Sequence, residues 1–214
     1  MVSSSDIGRT MRPALDIVWF KRDLRLRDHA PLCRVMHNPR PILLLYIFEP
    51  DLIHDPHYSE RHWRFVVQSL VDLQAQLSEF QTQVLVLQGA VQTVFDTLLS
   101  QCDIGNVYSH EEIGIELTYV RDRAMQQYFH QHHIKWTETP YSVVRRGLNH
   151  RQDWSKYWHE MMEKPCDDPD LAAIPFVSQT MVEQLTHQAL AIQDIELPTP
   201  QWSESHPNFQ IGGE

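Results

Sequence analysis

Residues 15–28 read LDIVWFKRDLRLRD, a short apolar run that ends abruptly in a series of basic and acidic residues. A second apolar run, ILLLYIF at 42–48, stops in the same way at Glu49 and Pro50. Runs that are apolar on both faces are typical of parallel strands that helices cover on each side. The two runs therefore predict buried strands of an α/β fold.

Segments with strand and helix patterns alternate along the chain that follows. Between the strand patterns, apolar residues recur every three or four positions, as one face of a helix requires. This alternation predicts a doubly wound, Rossmann-like parallel sheet of five strands, with helices on both faces and the first strand at its centre. The three further strands are expected at 82–87, 106–110 and 134–138.

Several helix starts and buried faces can be predicted individually. Asp28 and Ser59 are residue types that cap helices, and each precedes a helical pattern. Thr180 and Glu183 have the spacing of a capping box for a later helix. An aromatic face at 154–162 is expected to pack a short helix on the domain. The buried stripe of the helix after the fourth strand is expected at Leu117, Val120, Ala124 and Tyr128.

The composition is that of an ordinary globular protein. The 214 residues are 42% hydrophobic and 21% charged, and no apolar stretch is long enough to span a membrane. The opening residues have no apolar core of the kind that an export signal needs, so we expect a cytoplasmic protein. The formal net charge of −10 repels phosphate backbones, which disfavours nucleic-acid binding through this chain alone.

Polar and charged residues follow every predicted strand. In an open parallel sheet, ligands bind beyond the carboxyl ends of the strands, near the point where the strand order reverses. The residues directly after each of the five strands are therefore candidates for the rim of a pocket. The charged run 21–28 also fits a loop whose Arg and Asp residues pair with each other. No glycine-rich phosphate loop and no catalytic motif accompanies these residues, so no catalytic residue is expected.

Histidines and cysteines do not predict a metal site. The three cysteines are far apart and fit reduced thiols better than a disulfide framework or a metal knuckle. Two histidine clusters, at 54–62 and 130–133, lack the convergent Cys or carboxylate ligands of a typical site. The second also suits the negative end of a helix dipole.

The segment IVWFKRDLRLRD at 17–28 closely resembles the opening of DNA photolyases and cryptochromes. Lys21 replaces the first arginine of that motif, which keeps the charge and loses the bidentate geometry. The YIFEP run at 46–50, the SHEE turn at 109–112 and the Arg121-Asp122 pair are similar to the same family. The helix opening at Ser59 is similar too, with His62 where the family pattern has arginine. The chain end, FQIGGE at 209–214, resembles the element at which the family's helical FAD domain begins.

The resemblance implies a division of the chain. It implies a disordered tail at 1–14, a photolyase-type α/β domain at 15–150, helices and an interdomain linker at 151–208, and the start of a missing FAD-binding domain at 209–214. The FAD and the contact with damaged DNA would belong to that missing domain, and the chain alone would not catalyse repair. No membrane partner is implied.

In this family the α/β domain holds, where it has a cofactor, a light-harvesting antenna chromophore such as a folate, a deazaflavin or a flavin. The residues that the resemblance makes candidate antenna contacts are Arg22, Asp23, Phe48, Glu111 and Glu112. Arg25 and Asp28 are instead expected to form a structural pair. Two alternatives remain open at this point. The domain could be an antenna-free interaction domain of a cryptochrome, or an unrelated nucleotide-binding α/β domain.

Overall fold

A five-stranded parallel sheet organises the computed structural model, which describes residues 12–141, 143, 154–192, 194–198, 202 and 210–213. Its strand order is β3-β2-β1-β4-β5, and every neighbouring pair is parallel. The predicted sheet and its central first strand are therefore confirmed. The strands are β1 Ala14–Phe20, β2 Ile42–Phe48, β3 Val84–Gln88, β4 Asp103–His110 and β5 Lys135–Thr139.

Helices cover both faces of the sheet, as predicted. Side chains alternate along a strand, so β1 contributes Ile17 and Trp19 to one core and Val18 and Phe20 to the other. The first core is completed by α4, α5 and α7, and the second by α1 and α3. The helices are α1 Ala30–Arg34, α2 Pro50–Ile53, α3 Glu60–Leu77, α4 Val91–Gln101, α5 Glu116–Gln131, α6 Trp154–Glu163 and α7 Gln179–Ala189.

A buried charge marks an irregularity between β1 and β4. The pairing register of the two strands shifts between Leu15 and Ile17, beside Asp16. The Asp16 carboxylate accepts hydrogen bonds from the backbone N–H of Asn106 (2.9 Å) and from the side-chain amides of Asn106 (2.8 Å) and Asn38 (3.0 Å). These donors compensate for the loss of water around a buried carboxylate. The shifted register is therefore held by a polar cluster.

Two predicted helix caps are wrong. Asp28 has a positive φ of 46° and precedes the cap; His29 caps α1, with its ring Nδ1 accepting from the N–H of Leu32 at 3.2 Å. Ser178, rather than Thr180, caps α7 and accepts from the N–H of Met181 at 3.3 Å. Ser59 caps α3 as expected, in a reciprocal capping box with His62.

Two predicted helix faces also differ. On α5 the buried set includes Thr118 and Asp122, whereas Val120 is 49% exposed. The face is turned because α5 meets the charged carboxyl end of the sheet, where polar side chains are needed. Helix α6 forms where expected, but none of its residues is buried. Its aromatic side chains therefore do not pack into the core.

After α7 the chain crosses the carboxyl end of the edge strand β3. Glu196 exchanges two backbone hydrogen bonds with Gln88, at 2.8 and 2.9 Å. Trp202 is buried, and residues 210–213 lie against α3. We call residues 194–198, 202 and 210–213 the C-terminal strap.

Some expectations cannot be compared with the structure. Most of the expected N-terminal tail (1–11), the end of the expected α/β domain (144–150), parts of the expected linker (151–153, 193, 199–201 and 203–208), and Phe209 and Glu214 of the expected start of the next domain lie outside the described residues. Among the described residues, no helix has the length and apolarity to cross a membrane.

Candidate functional site

A cavity of about 450 Å³ opens beyond the carboxyl ends of β1, β2 and β4. The order β3-β2-β1-β4-β5 reverses at β1, so the cavity lies where ligands of open parallel sheets bind. Helices α3 and α5 and the strap complete its walls. The residues that line it are Trp19, Phe20, Lys21, Arg22, Tyr46, Ile47, Glu49, Leu52, Tyr58, Arg61, His62, Trp63, Phe65, Val66, Glu112, Thr118, Arg121 and Gln210.

Aromatic rings form one wall of this cavity. Tyr58 stacks on Trp63 with centroids 5.1 Å apart and planes 21° apart. Trp202 of the strap stacks on Trp63 at 5.7 Å and 26°, and Phe48 packs near both indoles. Stacked rings with fixed neighbours leave little freedom to rearrange. The wall is therefore a preorganised stack of rings, of which Tyr58 is partly exposed and Phe48, Trp63 and Trp202 are buried.

Arg121 is the centre of a buried ion cluster on the opposite side. Its guanidinium pairs with Glu49, with Glu112 at 2.8 Å and with Asp122 at 2.8 Å. It also lies 5.2 Å from the ring centroid of Trp19, within cation–π range. Burial raises the pKa of Glu49, although Arg121 acts in the opposite direction. Arg121 thus contacts three carboxylates in a largely buried cluster, and Asp122 also pairs with Lys21.

Lys21, which replaces the expected arginine, is held in the same region. Its Nζ lies 2.8 Å from Asp122 and 3.7 Å from Glu138. The ammonium lies within cation–π range of both Trp19 and Trp136, 4.9 and 4.8 Å from their ring centroids. A compact ammonium can make these contacts without bidentate geometry. The charge of Lys21 is therefore used inside the domain.

Asp23 is buried in a separate hydrogen-bonded triad. Its Oδ2 accepts from His29 Nε2 at 2.8 Å and from His110 Nδ1 at 2.5 Å, and its Oδ1 accepts from the N–H of Lys21 at 2.8 Å. Burial alone would raise the pKa of Asp23, but the hydrogen bonds from His110 and His29 hold it well below its usual range. Burial lowers the pKa of His29. The triad therefore joins an ionised carboxylate to a neutral His29.

The triad has the composition of a metal site but not its hydrogen bonding. Among the residues that the structure describes, Asp23, His29 and His110 form the one group whose donor atoms all lie within 4.8 Å. Because Leu32 N–H donates to His29 Nδ1, the ring proton sits on Nε2 and points at Asp23. A metal-bound histidine normally donates a proton from its second nitrogen. His29 accepts there instead, so the geometry fits a structural triad.

Replacing His29 with asparagine is expected to reduce the acid sensitivity of the fold. The folded state keeps His29 neutral, whereas the unfolded chain binds a proton near pH 6.5, so stability falls as the pH drops below that value. His29→Asn can still cap α1 but cannot titrate. When the pH is lowered from 7 to 5.5, the unfolding free energy should decrease in both proteins, and the decrease should be smaller in the variant by up to about 1 kcal/mol.

Urea unfolding at the two pH values measures this difference. His57→Asn is the matched control, because it makes the same substitution at a histidine whose side chain is 71% exposed and lies outside the triad. Equal pH dependence in His29→Asn and the wild type would contradict the neutral state of His29.

The five residues predicted from the sequence occupy different places. Arg22 and Glu112 line the cavity. Glu111 borders a smaller pocket beside the triad, with room for about one water, and Asp23 lies at its base. Phe48 lies behind the aromatic wall. The expected pair forms too, with Arg25 Nη2 3.4 Å from Asp28 Oδ2.

Sequence reasoning missed the aromatic wall and the role of Glu49. Trp63 is a buried residue at the start of α3, yet it also lines the cavity. Tyr58 precedes that helix, and its hydroxyl accepts a hydrogen bond from Arg22 Nη2 at 2.9 Å. Only the first-turn location of Trp63, level with the carboxyl end of β2, could have suggested this role.

Comparisons with known proteins agree with this architecture. The DNA photolyase family model matches residues 16–183. Cryptochrome DASH from Gloeobacter violaceus is 30% identical over 112 residues, which cover 50% of this chain and 22% of that protein. Cryptochrome-1 from Spalax judaei is also 30% identical over 112 residues, covering 51% of this chain and 18% of that protein. The matched segment therefore represents about a fifth of these longer relatives.

Solved structures show the same fold. A photolyase from Sulfolobus tokodaii, described with two FAD molecules and the implication of a novel light-harvesting cofactor, superposes with a TM-score of 0.67 at 18% identity. The match covers 93% of this chain and 44% of that one. A Synechocystis cryptochrome gives a TM-score of 0.64 at 20% identity, over 92% and 42% of the two chains. With the family model spanning most of its length, the chain belongs to the DNA photolyase family.

Proposed function

We propose that this chain is the light-harvesting domain of a photolyase or cryptochrome, and that it holds an antenna chromophore in the cavity. The observation that carries the proposal is an aromatic-walled cavity of about 450 Å³ at the strand-order reversal, a size within the range of small-molecule sites. The chromophore would be a folate, a deazaflavin or a flavin. When bound, it would absorb light and pass its excitation to a flavin in another domain.

The lining residues would position such a molecule without acid–base chemistry. Tyr58 is partly exposed at the cavity and stacks on the buried Trp63, so its ring is the one against which a planar heterocycle can stack. Arg22 is exposed at the cavity, so its guanidinium can meet an anionic substituent at low desolvation cost. Arg121 is already compensated by three carboxylates and would instead fix the inner wall.

The wider activity is also a proposal. We assign FAD and contact with damaged DNA to a helical domain outside the 214 residues, because this chain matches less than half of the Sulfolobus photolyase chain. The formal charge of −10 supports that division, since it opposes attraction of a phosphate backbone. The expected cytoplasmic location belongs to the same proposal.

Chromophore binding can be tested directly with the purified chain. We expect FMN, FAD, a methenyl folate or a deazaflavin to bind with one-to-one stoichiometry, with a shifted absorption band and quenched emission from stacking on the aromatic wall. Arg22→Ala should weaken binding of an anionic chromophore about tenfold, as expected for the loss of roughly 1.4 kcal/mol.

Arg27→Ala is the matched control. Arg27 lies in the same loop with its side chain 77% exposed, and it is not among the residues that line the cavity. If both variants lose the same affinity for the chromophore, the effect comes from the net charge of the loop and not from contact between Arg22 and the chromophore. Failure of all four chromophores to bind would reject the antenna function and favour the interaction-domain alternative.

A further inference from the structure

The C-terminal strap forms part of the cavity wall. Gln210 lines the cavity, although it lies far along the chain from the other lining residues. Two residues later, the N–H of Gly212 donates to the side chain of Gln68 on α3 at 2.9 Å. Phe65 and Val66, one turn earlier on α3, also line the cavity. The strap and α3 therefore meet at the cavity itself.

Gly212 makes this contact possible because it has no side chain. A Cβ atom at this position would lie 2.2 Å from the backbone oxygen of Phe65 and 2.8 Å from Ser69 Oγ. Ser69 Oγ in turn donates to that same Phe65 oxygen at 2.9 Å. Backbone within a helix cannot yield by the ångström or more that a side chain would need. Any larger residue must lift the strap from α3.

Trp202 forms the second attachment. Its side chain is 5% exposed and lies 5.7 Å from the ring of Trp63 and 5.5 Å from that of Phe48. Trp63 lines the cavity, so Trp202 supports the aromatic wall from behind. Burial of an indole contributes a few kcal/mol, which is enough to hold a short segment in place.

We propose that Gly212 and Trp202 are positioning residues that make the strap a wall of the cavity, so that strap docking and ligand binding strengthen each other. The inference rests on the proposed function for the identity of the ligand. A ligand in contact with both Trp63 and Gln210 gains the Gln210 contact only while the strap is docked on α3. Linkage then requires that loss of docking weaken binding and that binding protect the strap.

The experiment compares Gly212→Val with Ile211→Ala. Ile211 is 68% exposed in the same segment, so its truncation leaves the Gly212 contact intact. Hydrogen exchange is measured on the ligand-free chain and followed by titration with FMN. In Gly212→Val, amides at 63–69 as well as 210–213 should exchange faster than in Ile211→Ala. FMN affinity should fall about tenfold in Gly212→Val and stay unchanged in Ile211→Ala.

Trp202 supplies an independent pair of variants. Trp202→Ala should repeat both effects, and Trp202→Phe should restore most of the affinity, since a smaller ring can still stack on Trp63. Faster exchange confined to 210–213, or unchanged FMN affinity, would overturn the proposal. If the wild type does not bind FMN, the flavin form of the proposed function fails, and exchange at 63–69 alone decides whether the strap holds the wall.

Discussion

Replacing Arg121 with methionine is expected to destabilise the fold by about 3–5 kcal/mol, the usual result of removing one partner from a buried ion cluster. The change leaves three carboxylates, those of Glu49, Glu112 and Asp122, at the inner end of the cavity without their shared cation. Their side chains are 13%, 1% and 7% exposed, so water screens these charges poorly, although Asp122 keeps its contact with Lys21 at 2.8 Å. Urea unfolding at pH 7 measures the loss.

The loss in Arg121→Met should depend on pH. Burial already raises the pKa of Glu49, and the positive charge of Arg121 acts against this rise. Removing Arg121 should therefore raise the pKa of Glu49 further. A carboxyl whose folded pKa lies above its unfolded one stabilises the fold at low pH and loses this contribution as the pH increases. The deficit should therefore be largest near pH 7 and smaller near pH 4.5.

Arg123→Met is the matched control for this experiment. Arg123 lies on the same helix and pairs with Glu116 at 2.8 Å, but both side chains are more than half exposed. Its loss should be within about 1 kcal/mol. If the two variants lose a similar amount of unfolding free energy, the Arg121 cluster stabilises the fold no more than an exposed ion pair does.

Replacing Asp23 with alanine is expected to cost about 3 kcal/mol at pH 7, because three hydrogen bonds to a buried carboxylate are lost. The carboxylate accepts hydrogen bonds from His29, His110 and the backbone of Lys21. Alanine would leave these three donors buried and unpaired, which is more costly than the loss of the bonds themselves. Because Lys21 and His110 flank the cavity and its neighbouring pocket, the variant should also loosen the binding site.

The unfolding free energy measured at acid pH separates the loss of an ionised carboxylate from an ordinary loss of packing. Hydrogen bonds keep the pKa of Asp23 low, so its contribution is present above the unfolded pKa and is lost as the pH falls through the folded one. The difference between the wild type and Asp23→Ala should therefore shrink in acid. Asp55→Ala is the control: Asp55 also accepts hydrogen bonds from His57, but the His57 side chain is 71% exposed, so the loss at pH 7 should be much smaller than in Asp23→Ala. A constant difference at all pH values would argue that Asp23 is not ionised in the fold.

The sheet could be predicted because burial on both faces leaves a simple signal. The run at 42–48 is buried along its whole length, and its predicted ends coincide with those of β2. The helices gave a weaker signal where they meet the charged end of the sheet. On α5, Asp122 is buried for its contacts with Lys21 and Arg121, which a search for apolar residues cannot find.

The candidate site could be located but not assembled from the sequence. The rule that ligands bind beyond the carboxyl ends of parallel strands points to Arg22 and Glu112, and both line the cavity. It cannot show that Asp23 turns away into a histidine triad, because His29 and His110 come from distant elements. The contribution of Trp202 and Gln210 depends on the return path of the strap, which has no local sequence signal.

The polar cluster between β1 and β4 has a consequence for the order in which the chain folds during synthesis. Strands β1, β2 and β3 follow one another and can pair as soon as they leave the ribosome, whereas Asn106 must reach back across 90 positions to Asp16. Such long-range closure is slow because its entropic cost precedes any gain. Until β4 arrives, Asp16 keeps its water shell and the cavity lacks the loop that carries Glu112. The cavity therefore cannot form before β4 joins β1, and Gln210 of the strap is added to its wall later still, so a ligand can act only on chains whose two halves have already joined.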